Sequence, residues 1–427
     1  MGIRRSVAFN LAGHLGPLLA AVFAIPVLVE RLSSERFGFL SLAWVLVGYV
    51  GLLDLGLGRA LTRVVAERTG TQHEAGLPGL ARAVYAMLAA LGFFLGAVLY
   101  AFAPWLCASV LKVPAAMQAE AALALRILAV CLPFVTLGSA LRGLLEARHH
   151  FGWVNAIRLP MGILSFVAPM LVALRTDDLA AICLSLAALR VIGMLAHLVA
   201  CRRTAPELVS AGGLDWGGMR QMFGYGAWLT VSNLVGPLLL YLDRFVIGAV
   251  ATLAAVAFYT APYEVVTRLW LLPAALSGVL FPAFSASHST DPARTRRLYR
   301  QGIAVILAAV LPVALLGGIF AEGWLTAWLG AEYAARGAGV AQILCAGIVV
   351  NSLGYVPFTL LQASGRADLV AKAHLAELPV YVAVLALLVA SAGINGAAWA
   401  WTLRSVADAV ILSVLAQREM RRARAKK

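Results

Sequence analysis

Acidic residues are scarce in this chain: Asp and Glu together number 20 in 427 residues, charged residues of all kinds make up 13%, and only four lysines accompany thirty arginines. A soluble globular domain carries about a quarter of its residues as charge, so a soluble fold conflicts with what is missing. Cysteine is also sparse. Cys107, Cys131, Cys183, Cys201 and Cys345 are isolated and odd in number, form no CxxC pair, and argue against a disulfide framework or a thiolate metal site. No GxxxxGK[ST] loop occurs, so no ATPase of that type is built in. His149 and His150 have no acid or cysteine at ligand spacing, and Asp177 and Asp178 sit in a tight turn rather than a metal-binding pair. A long outer loop of the kind a surface-sugar polymerase or ligase needs is absent too, since the longest expected outer connections, 104–118 and 322–337, are short.

Apolar residues make up 62% of the chain, with a mean hydropathy of +0.88. A helix crossing a bilayer needs about 20 mostly apolar residues. Stretches bounded by charge, Gly and Pro predict crossings near 8–29, 38–59, 80–103, 119–141, 153–174 and 179–200, then 221–242, 257–285, 301–321, 338–361, 367–390 and 395–416. The fold class expected is therefore an all-α integral membrane protein of about twelve transmembrane helices. The first segment has no small-residue cleavage site and reads as a retained helix.

The net charge of +14 has a topological explanation, because Lys and Arg collect in loops that stay in the cytoplasm. With an even number of crossings both termini share a side, and that side holds 23 of the 34 basic residues, against six opposite (Arg31, Arg36, Lys112, Arg175, Arg244 and Arg336). Both termini are expected in the cytoplasm. The basic tail REMRRARAKK, residues 418–427, reads as a stop at the membrane surface rather than a nucleic-acid site.

Five arginines fall inside predicted helices: Arg126, Arg158, Arg190, Arg268 and Arg404. Arginine in hydrocarbon costs about 2.5 to 3.5 kcal/mol even on lenient insertion scales, so those away from a helix end must face protein or water. Arg158 can snorkel to the surface. Arg268 has Glu264 four residues before it, and Arg404 has Asp408 four after. Two readings stay open: internal neutralisation of charge, or an aqueous cavity that receives an anionic group.

The chain also repeats itself. LLEARHHFGWVNAIRL from Leu144 aligns with LLQASGRADLVAKAHL from Leu360 at a shift of 216, and NLAGHLGPLL from Asn10 with SNLVGPLLL from Ser232 at a shift of 220 for the Gly-Pro pairs. Six crossings per copy is even, which implies a parallel repeat about an axis along the membrane normal. The expected organisation is an N-terminal lobe at 1–203, a cytoplasmic linker at 204–220, a C-terminal lobe at 221–417 and the tail.

The stretch FGFLSLAWVLVGYVGLLDLGLGRALTRVVAER, Phe37 to Arg68, resembles the second-helix region of Wzx-type polysaccharide flippases. These belong to the multidrug, oligosaccharidyl-lipid and polysaccharide exporter superfamily. LDRFVIG from Leu242, followed by FYTAPYEVVTRLWLLPAALSGVLFPAFS from Phe258 to Ser285, resembles the seventh-to-eighth helix region of the same proteins. The resemblance implies a MATE-like fold of two six-helix lobes, no enzyme activity and no cofactor. It also implies a cargo of undecaprenyl-pyrophosphate-linked oligosaccharide moved from the cytoplasmic to the outer leaflet by alternating access. Proton or sodium coupling and contact with polysaccharide polymerase and chain-length machinery would follow.

Arginine's planar fork suits phosphate oxygens, which makes Arg268, Arg126, Arg404 and Arg190 candidate pyrophosphate or sugar ligands. Glu264, Asp243, Arg244, Glu377, Asp408 and His14 are candidates for coupling or gating. Related lipid-precursor flippases place an arginine in the first helix where this chain has His14.

Asp54 and Arg59 lie at the end of the second crossing. Sixteen residues from Gly38 is about 24 Å of helix rise, which puts Asp54 near the cytoplasmic edge. There it either packs a helix end, with Gly56 and Gly58 allowing close approach and Arg59 or Arg63 as partner, or forms a gate between lobes. The competing functions are a major-facilitator carrier, whose G-x-x-x-D-R-x-G-R-R-like loop is replaced here by GRALTRVVAER, and an organic-cation exporter of the same superfamily.

Overall fold

A computed structural model describes residues 3–50, 57–69, 74–210, 212–220, 239, 241–288 and 290–425, without side chains at 3–15, 47, 49–50, 59 and 423–425. The described residues form helices joined by short turns. In chain order these are α1 (Ile3–Arg31), α2 (Ser34–Val50), α3 (Leu57–Arg68), α4 (Leu77–Trp105), α5 (Gln118–Ala147), α6 (Phe151–Ala173) and α7 (Leu179–Thr204). After them come α8 (241–250), α9 (Leu253–Thr267), α10 (Leu271–Ser287), α11 (Pro292–Ile319), α12 (Ala321–Leu329), α13 (Ala331–Ala363) and α14 (Ala367–Ala425). Gly393, at φ 58°, breaks α14 into two helices at a backbone conformation that only glycine adopts without strain. Eight described segments are long and apolar enough to cross a membrane. The protein is a multi-pass, all-α membrane protein.

Two compact units divide the chain at Pro237 and Leu238. In the first, α5 is the central helix, packed against α2, α3, α4, α6 and α7, while α1 lies along α6. In the second, α13 takes that place, packed against α9 to α12 and α14. More than half of the most apolar stretch of α5 and of α13 is buried, against under two-fifths in the other six spans. Glycine sets the closest approaches. A Cβ at Gly92 would lie 2.5 Å from the Pro133 Cα, and one at Gly96 2.7 Å from the Ala129 carbonyl oxygen, so the G-x-x-x-G face of α4 touches the backbone of α5.

The repeat is visible in the backbone. α5 ends at Ala147 and α13 at Ala363, and α6 begins at Phe151 and α14 at Ala367, offset by 216 residues as the sequence copies are. Both ends close with the same paired turn. The His150 N–H donates to the Leu145 carbonyl (2.8 Å) and His149 to Glu146 (3.0 Å); the Arg366 N–H donates to Leu361 (2.8 Å) and Gly365 to Gln362 (3.1 Å). This is the Schellman arrangement, which needs a left-handed residue at its corner. Gly365 supplies it at φ 74°, and His149 does so at φ 59°. The second Gly-Pro pair, at Gly236, lies outside the described residues.

Charged loops gather at opposite ends of the first unit. At one end Arg36 donates to Asp177 (2.7 Å) and Glu120 (3.0 Å), Glu120 accepts from the Leu179 N–H (2.6 Å), and Asp178 caps α7 through the Ala180 N–H (3.0 Å). At the other, Arg148 pairs with Glu74 (2.9 Å) and Glu207 (3.3 Å). Connections predicted to alternate sides thus meet only their own kind. The second unit repeats the clamp, with Arg366 bound to Asp368 and to Glu419, each at 3.2 Å.

Several boundaries differ from expectation. The seventh crossing was expected to end at 242, but 241–250 is helix, because α9 supplies Asp243 with the Tyr259 hydroxyl and Arg244 with the Glu264 carboxylate in place of water. The eighth, expected unbroken over 257–285, is α9 and α10 joined by a 3-10 turn at Arg268–Trp270. The expected tail at 418–427 begins as helix, since α14 runs to Ala425.

Candidate functional site

Three helices of the first unit present faces of small and basic residues at helical spacing: Gly138, Ser139 and Arg142 on α5, Arg158, Met161, Gly162 and Ser165 on α6, and Arg190, Gly193, Met194 and His197 on α7. Together with Gly48 of α2 they wall a cleft of about 290 Å³. The glycines remove side-chain bulk, and the arginines and histidine line the room that remains. Arg190 stands eleven residues into α7, about 16 Å along its axis and near its middle. Arg142, Arg158 and His197 lie nearer the end of the unit where Arg148 is clamped. The cleft therefore runs from the core of the lobe towards that end.

Positive charge inside this cleft is in excess. Arg142 approaches Glu146 at 3.8 Å, and Arg158 also has an electrostatic or hydrogen-bonding partner. The Arg190 Nε is buried with no hydrogen-bond acceptor among the described residues, next to Cys131. The His197 Nδ1 lies 2.7 Å from the Gly193 carbonyl, which makes that nitrogen the N–H donor, while its Nε2 is buried with no partner among the described residues. No acidic residue is among the described lining. Such a lining of convergent donors with no carboxylate is the chemistry of an anion site.

The second unit holds a different cluster. Asp243, fully buried, accepts from the Tyr259 hydroxyl (2.6 Å) and from the Arg244 N–H (2.8 Å). Arg244, 3% exposed, donates to Glu264 (2.7 Å) and lies 5.0 Å from the Tyr263 ring centroid; Arg268 donates to the other oxygen of Glu264 at 2.5 Å. Glu264 thus bridges two arginines. Beside them, Tyr263, Trp270 and Trp401 form a three-ring contact with centroids 6.1 to 6.4 Å apart, and the Trp270 indole N–H donates to Asn351 (2.8 Å). Further along α14, Arg404 lies 5.5 Å from the Tyr381 ring, His374 lies 3.2 Å from Asp408, and Glu377 sits among Asp408, His374 and Arg404. Glu377 is buried, and neither of its carboxylate oxygens accepts a hydrogen bond from a described residue.

Residues 27–337 match the family model described as polysaccharide biosynthesis protein. The chain belongs to that family. It is 29% identical over 416 residues to a Shigella flexneri protein named "Putative O-antigen transporter", covering 97% of this chain and 98% of that one. Among solved structures it resembles an inward-facing multidrug resistance MATE transporter of the MOP superfamily (TM-score 0.80, 12% identity, 97% and 99% coverage). It also resembles the lipid II flippase MurJ in an inward closed conformation (TM-score 0.78, 10% identity, 98% and 90% coverage). The MATE-like fold expected from the sequence is the one observed.

Within this family member the expected site residues separate. Arg190 lines the basic cleft. Arg126 does not; it lies on α5 with its guanidinium 5.1 Å from the Tyr100 ring. Arg268 and Arg404 belong to the second unit, with Glu264, Asp243, Arg244, Glu377 and Asp408. Arg244, assigned by the sequence to an outer loop, is a buried member of the Glu264 cluster. Asp54 lies outside the described residues, as do the side chains of Arg59 and His14. Arg63, offered as a partner for Asp54, pairs with Glu67 at 2.6 Å. Sequence reasoning missed Arg142 and His197, and gave Arg158 to the membrane surface. The signal was present as a glycine and a basic residue sharing one face at i, i+3, i+4 and i+7 spacing on each of α5, α6 and α7.

Proposed function

We propose that this protein is a flippase of the bacterial inner membrane, both termini cytoplasmic, that carries an undecaprenyl-pyrophosphate-linked oligosaccharide to the outer leaflet for cell-surface polysaccharide synthesis. The observation that carries the reading is the cleft of Arg142, Arg158, Arg190 and His197, with no carboxylate among its described lining residues, in a member of a polysaccharide biosynthesis family. A pyrophosphate carries two negative charges and a ring of acceptor oxygens, and bidentate guanidinium donors match it. Moving it unaided through hydrocarbon would strip hydrogen bonds at several kcal/mol each. The relative named as an O-antigen transporter, similar over nearly its whole length, supports the same cargo class, and transport rather than enzyme catalysis. An organic-cation exporter would need acidic groups where this cleft has arginine.

Glu377 and Asp408, two neighbouring carboxylates in the second unit beside His374, are the coupling site of this reading, taking a proton or a sodium ion as the cycle turns. Arg190 holds phosphate, and its loss removes the deepest donor of the cleft.

The test is deletion of the gene in its host followed by mass spectrometry of extracted lipids. Accumulation of a pyrophosphate-linked oligosaccharide, reversed by the wild-type gene and not by an Arg190→Ala variant inserted at equal level, is the expected result. Full rescue by Arg190→Ala would remove the cleft from the mechanism, and absence of any such lipid would remove the cargo.

A further inference from the structure

α11 carries Arg294, Arg296, Arg297 and Arg300 within its first nine residues. Arg148 and Arg366 are each held by two carboxylates. By contrast, Arg296, Arg297 and Arg300 are exposed and make no ion pair or hydrogen bond with any described residue. These three share one face with Gln301 and Ala304 and line a groove of about 490 Å³. Below it the same face continues as Ala304, Ala308, Leu311, Leu315 and Ile319, all exposed and apolar.

We infer that this face of α11 is a binding site for an anionic phospholipid, its phosphodiester on Arg296, Arg297 and Arg300 and an acyl chain along the apolar stripe. Positive charge at the cytoplasmic end of a crossing helix is common for topological reasons alone. Topology does not require the charges to align on one face, to lack acidic partners, or to stand directly over a lipid-facing stripe. All three hold here. A phosphodiester supplies the counter-charge that these three guanidinium groups do not find among the described residues. This site is separate from the basic cleft of the first unit and stands whether or not that cleft binds pyrophosphate.

Purified full-length protein in a neutral detergent would be titrated with phosphatidylglycerol, phosphatidylcholine and inorganic phosphate, and binding read by native mass spectrometry. Wild-type protein is expected to retain phosphatidylglycerol in preference to both others. An R296Q/R297Q/R300Q variant should lose that preference by roughly a hundredfold, from the usual contribution of a basic residue at an anionic membrane surface. R418Q/R421Q/R422Q, which removes the same charge from the far end of α14, should retain it. Equal retention of phosphatidylglycerol and phosphatidylcholine by wild type overturns the site. So does equal loss in the two triple variants, which would mean diffuse attraction, and so does phosphate binding as tightly as the lipid, which would leave the stripe without a role. If the α11 variant does not fold, the wild-type comparisons can still overturn the site.

Discussion

Glu264→Ala tests whether the charges of the second unit are structural. Glu264 accepts from Arg244 and Arg268, and the two arginines are not equivalent. Arg244 is 3% exposed and Arg268 42%. Removing one partner of a buried ion pair costs about 3 to 5 kcal/mol, because the remaining charge is left uncompensated. Asp243 and the Tyr263 ring stay close to Arg244, which sets the expectation at the lower end, about 3 kcal/mol, or roughly a hundredfold in the folding equilibrium. Arg268→Ala, which loses only a solvent-screened contact, should cost under about 1 kcal/mol. Pairing Glu264→Ala with Arg244→Met should recover most of the loss, since it leaves no orphaned charge. Reversible unfolding in mixed micelles, followed by tryptophan fluorescence, measures all of these. A Glu264→Ala variant within about 1 kcal/mol of wild type would refute the reasoning, because it would mean that water reaches Arg244.

Three further outcomes follow from the geometry. His149→Gly should stabilise the protein by about 1 kcal/mol, because His149 occupies a left-handed corner that the other repeat gives to Gly365; the same micelle assay reads it, and a neutral or destabilising result would contradict the strain. Gly92→Leu should cost about 2 to 3 kcal/mol, since its Cβ would meet the Pro133 backbone at 2.5 Å and force α4 away from α5; a wild-type unfolding midpoint would show that the helices slide freely. Under the flippase reading, Glu377→Gln should leave insertion intact and abolish the dependence of transport on an imposed proton or sodium gradient in proteoliposomes. Retained dependence on that gradient would move coupling elsewhere.

The architecture was legible because its signals are long: apolar runs, an odd-even alternation of basic loops and a 216-residue repeat each average over many residues. The boundaries failed where a few side chains act across helices. Asp243 and Arg244 read as the end of a crossing, since charge usually marks water, yet Tyr259 and Glu264 sit one helix away and supply what water would have. The cleft was half legible. Arg190 stood out as an arginine far from any helix end, whereas Arg142 and Arg158 looked like surface residues by their distance from the termini of α5 and α6. Only the convergence of three helix faces makes them walls of one cleft, and convergence is a property of packing that no single helix displays.

The lack of any carboxylate along the described lining of the basic cleft has a consequence for how the cleft is filled. Under the flippase reading, a guanidinium that no described side chain neutralises, as at Arg190, is balanced between rounds of transport by small mobile anions and water. Loading of a phosphate-bearing cargo is then an exchange, with resident counter-ions expelled as the phosphates enter, and its apparent affinity falls as the surrounding anion concentration rises. Departure reverses the trade. The salt of the compartment that receives the cargo thereby becomes a reactant in its release.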